Sequence, residues 1–278
     1  LPMSSKARTP FPWPLLRFWT RRTLLMWCLI AAMIFIVQLF YCGIVHNNER
    51  VKAFLQYIDM LPSFMKTAFG GDMLQLGNIT GLIAMGYNDP LVLLLYMLFA
   101  VGVPTGLLGG GVQKGTMELI LSRRATKTQV YICAGLITIT GMFALVLVMF
   151  SGTFVSTKIY PFEQKIQLYP FLIAAIAGGT LASAVGGIAL MAAGCFRRNT
   201  AIWLTTVYLV ANYFAEIVGE WWTRMKWLKH VTIFDCVDET LIFTKSAWPV
   251  SGLCVLISIL VVTTLFGGII WSRRDLPM

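Results

Sequence analysis

The stretch GGGVQKGT at 109–116 is the part of this sequence nearest to phosphate chemistry. A phosphate-binding loop reads G-x-x-x-x-G-K-[ST], with backbone amides cradling the phosphates and the lysine after the last glycine reaching them. Here Lys114 precedes Gly115, which swings the ammonium away from such a cradle. The setting fails too, because the stretch leaves an apolar run rather than a strand. No nucleotide site is expected, and so no cofactor in this chain. Neither H-E-x-x-H nor G-x-S-x-G occurs. Two histidines, His46 and His230, are too few for a metal centre with carboxylates at ligand spacing. Paired aspartates inside apolar runs, which an intramembrane protease would need, are missing. Catalysis within this chain is not expected. What remains are charged groups that can dock or bind: Lys114, Glu118, Arg123, Arg124 and Lys127 in one short stretch, and Glu216 alone near the end of an apolar run.

The elements that must position these groups are membrane spans. Of 278 residues 58% are hydrophobic and 12% charged, with mean hydropathy +0.75, against roughly 25% charged in a soluble domain. A helix needs about 20 mostly apolar residues to cross the hydrocarbon layer. Six stretches qualify: 24–45, 91–111, 129–155, 170–196, 201–219 and 248–271. They are too long and too rich in Leu, Met, Gly and Ala for alternating barrel strands. The expected fold class is therefore an all-α integral membrane protein with six transmembrane helices.

Six crossings put both termini on one side, and basic residues choose it. The N-terminus, the second and fourth loops and the tail hold 13 of the 22 Lys and Arg, with only Glu118 and Asp275 as acids. The net charge of +10 sits almost wholly on that face, so the basic balance predicts cytosolic termini and a lipid bilayer as partner rather than nucleic acid. The expected location is the cell (inner) membrane. No cleaved leader is expected, since the first apolar run is longer than a signal core and lacks a small-residue cleavage site. The opening Leu1 leaves Met3 as a start, or trimmed ends, as readings. The six cysteines form no CxxC pair and mostly fall in spans, where packing is their expected role. Cys42 and Cys236 both fall near the outer face, which leaves a bridge between them open.

Ahead of the first span, PFPWPLLRFWTRR (10–22) mixes Trp13, Leu15, Leu16, Phe18 and Trp19 with Arg17, Arg21 and Arg22. This predicts an interfacial elbow helix flat on the cytosolic leaflet, serving as an anchor or as a coupling element. Apolar residues at helix spacing over 51–68, broken by Pro62, predict an external amphipathic helix, and 220–245 a second external piece with Trp221, Trp222 and Trp227 at the interface. In the fourth span Gly178/Gly179, Ala182/Ser183 and Gly186/Gly187 recur every four positions. That permits close helix approach, either within the chain or along a seam between copies. Pro104, within Gly102-x-x-x-Gly106, predicts a break in the second span. Away from their ends the spans hold no Asp, Glu, Lys, Arg or His, and Glu216 comes nearest, as a functional acid or a group reaching the interface. Carriers and pumps that tap ion gradients usually need such a group.

Read as a helix, GTMELILSRRATKTQ puts Met117, Ile120 and Leu121 on one face and Glu118 and Ser122 at i, i+4 on another. Acid near the start and base near the end suit the helix dipole. A protein partner and anionic lipid both fit such a segment. The residues resemble the cytosolic segment between spans two and three of ABC-2 type transporter permeases, approximately G-T-x-E-x-L-L-S-R-P-x-S-R. The match runs through Gly115, Thr116, Glu118, Leu119, Leu121, Ser122, Arg123 and Lys127. Arg124 stands where the family has Pro, which implies a longer helix or an altered turn, and Lys127 where Arg is common.

The resemblance covers the whole chain, 1–278, in layout as one transmembrane domain, and about fifteen residues in motif. It implies a permease subunit without its own motor, paired with a second copy or a homologue. Each subunit would rest on a separate ABC ATPase, which carries the ATP and Mg. The segment 112–128 would be the coupling helix seated in that ATPase, through Gly115, Thr116, Glu118, Leu121, Ser122, Arg123, Arg124 and Lys127. Pro104, Gly186, Gly187 and Glu216 are the candidates for path and packing. The alternatives from other classes are a membrane scaffold or assembly protein, and a channel or secondary carrier.

Overall fold

A computed structural model of the chain describes residues 11–46, 51, 56, 60, 79–122, 125–162 and 166–275. Among them every regular element is helical. In chain order these are α1 (Trp13–Val45), α2 (Ile79–Ala84) with a 3-10 turn over Met85–Tyr87, α3 (Pro90–Pro104), a π-helical turn over Thr105–Gly109, and α4 (Gly110–Gln113). There follow α5 (Thr116–Leu121), α6 (Lys127–Ile159), α7 (Leu168–Cys195), α8 (Arg198–Trp221), a 3-10 stretch over Thr223–Val231, α9 (Glu239–Lys245) and α10 (Val250–Arg273). Six helical segments are long and apolar enough to cross a membrane: α1, the run from Ile79 to Gln113, α6, α7, α8 and α10. The chain is a multi-pass membrane protein. Most of the external helix expected over 51–68 lies outside the described residues.

Two boundaries differ from expectation. The separate elbow before the first span is not a separate element, because residues 13–22 continue into the span as one 33-residue helix. At 1.5 Å per residue α1 is about 50 Å long, well beyond the ~30 Å hydrocarbon layer. Nothing between Arg22 and Leu24 breaks the ladder: Thr20 and Thr23 donate their hydroxyls back to the carbonyls of Leu16 and Trp19, and Pro14 falls in the first turn, where its missing N–H costs nothing. Trp19 is buried in the core while Trp13 and Phe18 are exposed. The second span starts not at Leu91 but with α2, and the chain breaks at Asn88-Asp89 before α3. Asp89 caps α3 by accepting the N–H of Leu91 at 2.7 Å, the role that aspartate ahead of a first-turn Pro commonly takes.

α7 is the central post. It packs along α10, α6 and α3, while α1 lies along α6. Small residues allow this. A Cβ on Gly186 would come within 2.9 Å of Thr138 on α6, and one on Gly187 within 2.7 Å of Thr263 on α10. The four-residue repeat thus packs α7 on two neighbours of the same chain. α1 and α6 are joined by Trp27, whose indole N–H donates to the Gly141 carbonyl at 3.0 Å. The periphery is apolar: Trp203, Val207 and Phe214 on α8, and Val262, Leu265 and Phe266 on α10, are all exposed. Faces of that kind are stable only against lipid or another apolar helix.

Candidate functional site

At one end of the bundle the second and third spans meet in a short foot. Gly115 adopts φ 66° and starts α5, a left-handed conformation that glycine takes without Cβ strain. Met117 is buried at 2% exposure, with Ile120 and Leu121 packed against the same core. The other side presents Lys114, Glu118, Leu119 and Ser122, all exposed. Leu119 is 69% exposed, an apolar group held out beside a carboxylate. Thr116 donates to the Gly111 carbonyl at 3.2 Å, tying the foot to the span above. Arg123 and Arg124 lie outside the described residues. α6 then begins with a capping box, in which the Thr126 hydroxyl accepts from Gln129 N–H and the Gln129 side chain accepts from Thr126 N–H.

Lys127, expected to take part in coupling to a partner, has ties within the bundle. Its ammonium donates to the carbonyl of Arg274 at 2.7 Å, and its own carbonyl accepts the indole N–H of Trp271 at 3.0 Å. Arg274 in turn donates to the carbonyls of Gly194 and Phe196. The start of α6, the end of α7 and the end of α10 are thereby pinned at one point. The triple glycine above the foot also has a packing reason. A Cβ on Gly109 would meet the backbone of Arg198 at 2.9 Å, and one on Gly111 the Met117 methyl at 2.9 Å.

Between the foot and the rest of the second span lies a discontinuity. Pro104 removes one ladder donor, and the next five residues, Thr105–Gly109, form a π turn. Thr105 is fully buried and donates its hydroxyl to the Val101 carbonyl at 2.6 Å. The predicted break is present at the predicted proline, and it takes the form of a widened turn.

Glu216 lies at the opposite end of the bundle, in the wall of a cleft of about 940 Å³. The cleft runs between α3, α7, α8 and the start of α10, under the segment 229–241. Its deep wall is Tyr96, Ala174, Gly178, Leu181 and Ala182; Gly178 faces open space, with no atom within 4 Å of where its Cβ would stand. The rim carries Glu216, Asp235, Asp238 and Glu239 against Lys229 and His230. Thr232 donates to Glu216, and His230 lies 3.0 Å from Asp235. Cys236 lies in the same rim, and its thiol is held above the ordinary range by burial first and then by the carboxylates of Asp235 and Glu216. Cys42 and Cys236 are both free thiols, so no bridge joins them.

Beside the cleft is a polar seam absent from the sequence reading. Gln38, fully buried on α1, donates to Thr153 on α6 at 2.9 Å, and the Tyr87 hydroxyl lies 2.9 Å from the same Thr153 oxygen. Tyr41 donates to Asp89 at 2.5 Å. The signals were a lone Gln in an apolar run, which must find a partner, and the Asn88-Asp89-Pro90 turn, which announces a helix start.

Comparisons with protein-family models, with curated proteins and with solved structures each return no match. The functional reading therefore rests on the geometry above and on the residues of the foot.

Proposed function

We propose that this chain is the permease subunit of an ABC-2 type ABC transporter and forms the membrane path for ATP-driven export of an amphipathic substrate. Its foot, 112–128, sits in a cleft of a separate ABC ATPase, and two permease subunits, identical or homologous, share one path. Both termini and the foot face the cytosol of the cell (inner) membrane, in keeping with the basic residues on that side. The N-terminal turns of α1, continuous with the span, lie at the cytosolic interface, and the segment around 223–245 lies on the outer surface.

The observation that carries this reading is the exposed set of Glu118 and Leu119 on a six-residue helix and Ser122 at its C-cap, with Met117 on the opposite side buried. A helix anchored by Met117, Ile120 and Leu121 and presenting a carboxylate beside an exposed leucine suits seating in a protein cleft. A lipid headgroup surface would want the cations alone. ATPase closure pushing on this foot would act on the second and third spans together, because the chain connects it directly to both. The π turn above Pro104 supports the same reading, as a place where the second span can change pitch.

The test is affinity purification of the tagged full chain from its native membranes. An ABC ATPase is expected to come with it, and Glu118→Arg is expected to lose that partner while inserting normally. A Glu118→Arg protein that still retains the ATPase would refute the coupling role.

A further inference from the structure

The cleft at the end away from the foot is closed above and behind, but not at its side. The segment 229–241 roofs it and is seated on both flanking helices. A Cβ on Gly219 of α8 would stand 2.8 Å from the Lys229 nitrogen, and one on Gly252 of α10 would collide with the Cys236 carbonyl. Behind stand α7 and α3. Below the roof α8 and α10 each pack on α7 but, among the described residues, barely touch one another. Val250 and Val255 of α10 line the cleft and are at the same time exposed at the surface of the bundle. The mouth therefore opens between α8 and α10, in the apolar periphery that only lipid or another helix can cover.

The charges of the roof are already met within the chain. Thr232 donates to Glu216, His230 lies 3.0 Å from Asp235, and Asp238 accepts the N–H of Leu241 at 2.9 Å. Lys229 and Glu239 have partners as well. These groups need no ionic ligand to satisfy them. What the cleft offers is apolar room. Apart from Tyr96 its deep wall is aliphatic, and Gly178 has no neighbouring atom within 4 Å of where its Cβ would stand. The volume, about 940 Å³, falls at the upper end of the range for small-molecule sites, roughly 300–1,000 Å³. Left empty, such walls forfeit dispersion contacts, and water finds few partners on them.

We propose that this cleft is a lipid site, which takes one acyl chain of a membrane phospholipid sideways through the gap between α8 and α10. The chain lies along Gly178, Leu181 and Ala182. The headgroup stays outside, at the level of Trp248, whose indole N–H donates to the Tyr169 hydroxyl at 3.1 Å, a position that interfacial aromatics commonly take. Because the chain is what the cleft recognises, phosphatidylcholine and phosphatidylglycerol are held alike. Occupation needs neither ATP nor a partner, so it does not depend on the permease reading.

The experiment uses the full chain in phosphatidylcholine nanodiscs that contain a phosphatidylcholine analogue with a diazirine near the end of one acyl chain. After irradiation, labelled residues are mapped by peptide mass spectrometry. Val207 and Phe214 of α8 and Val262 of α10, all exposed, report the surrounding lipid. The deep wall over 174–182 is expected to be labelled too, although Ala174, Leu181 and Ala182 are 7%, 6% and 2% exposed and a chain outside the bundle does not reach them. Gly178→Phe, which fills the open space, is expected to abolish deep-wall labelling and leave the exposed faces as they were. The phosphatidylglycerol analogue gives the same pattern.

The unaltered chain carries the test by itself should the variant misfold. A deep wall that stays unlabelled while the exposed faces react, undiminished deep-wall labelling in Gly178→Phe, or labelling confined to one headgroup would each overturn the proposal. None of these results touches the coupling role of Glu118, and loss of the ATPase partner leaves the labelling intact.

Discussion

Gly109 lies under Arg198 because no side chain fits there: a Cβ would stand 2.9 Å from the Arg198 Cα. Gly106, three residues earlier, has no neighbouring atom within 4 Å of its Cβ position. The two glycines therefore respond differently to the same change. Gly109→Leu is expected to destabilise the protein by about 1–3 kcal/mol through overpacking against backbone that cannot yield. Gly106→Ala is expected to be neutral or mildly stabilising. Thermal unfolding in detergent, followed by tryptophan fluorescence, distinguishes them, and equal losses would show that the approach of α8 to the π turn is misjudged. From sequence, GGG beside a lysine resembled a phosphate loop in composition and failed it in order. What the glycines do instead was not legible, because Arg198 lies some 90 residues further along the chain. The tie of Lys127 to the bundle was hidden for the same reason. A cation beside the motif reads as part of it, and only the fold brings the Arg274 carbonyl within 2.7 Å.

Among the elements, the second span is the one with a built-in discontinuity. Its break was legible, since a proline inside an apolar run has one mechanical consequence wherever the helix packs. The form of the break was not, because a π turn depends on neighbours such as the Arg198 backbone that crowds Gly109. The short α2 and the turn after it were missed as part of this span, their apolar run being too brief to register as a crossing on its own. Pro104→Ala restores the missing donor, and the π turn is then expected to relax toward a regular helix. The expected outcome is a raised melting temperature together with a lowered rate of ATP-driven turnover. A variant that gains stability and keeps full turnover would show that the widened turn is packing alone and takes no part in movement.

For the whole molecule, the solvent decided what could be read in advance. Six apolar runs were legible because a helix in lipid must satisfy its own backbone, whatever surrounds it. Their approximate ends followed, apart from the start of the second span and the start of α1, where arginines marking the interface did not interrupt the helix. The cleft was not legible. Its lining comes from α3, α7, α8, α10 and the segment over 229–241, and only Glu216 stood out, as an acid near the end of a span. Its partner Thr232 and the open face of Gly178 exist only once the bundle is assembled. The chain thus has two ends with different chemistry: a foot bearing Glu118 and a cleft rimmed with carboxylates. The most direct measurement of the central claim places a cysteine at position 118 in a chain otherwise lacking cysteine and asks what it meets in native membrane vesicles. Glu118→Cys is expected to cross-link to an ATP-hydrolysing subunit in a yield that changes on ATP binding, and to react with an impermeant reagent only in inside-out vesicles. Labelling from right-side-out vesicles, or a position 118 that meets no ATPase in either nucleotide state, would contradict it.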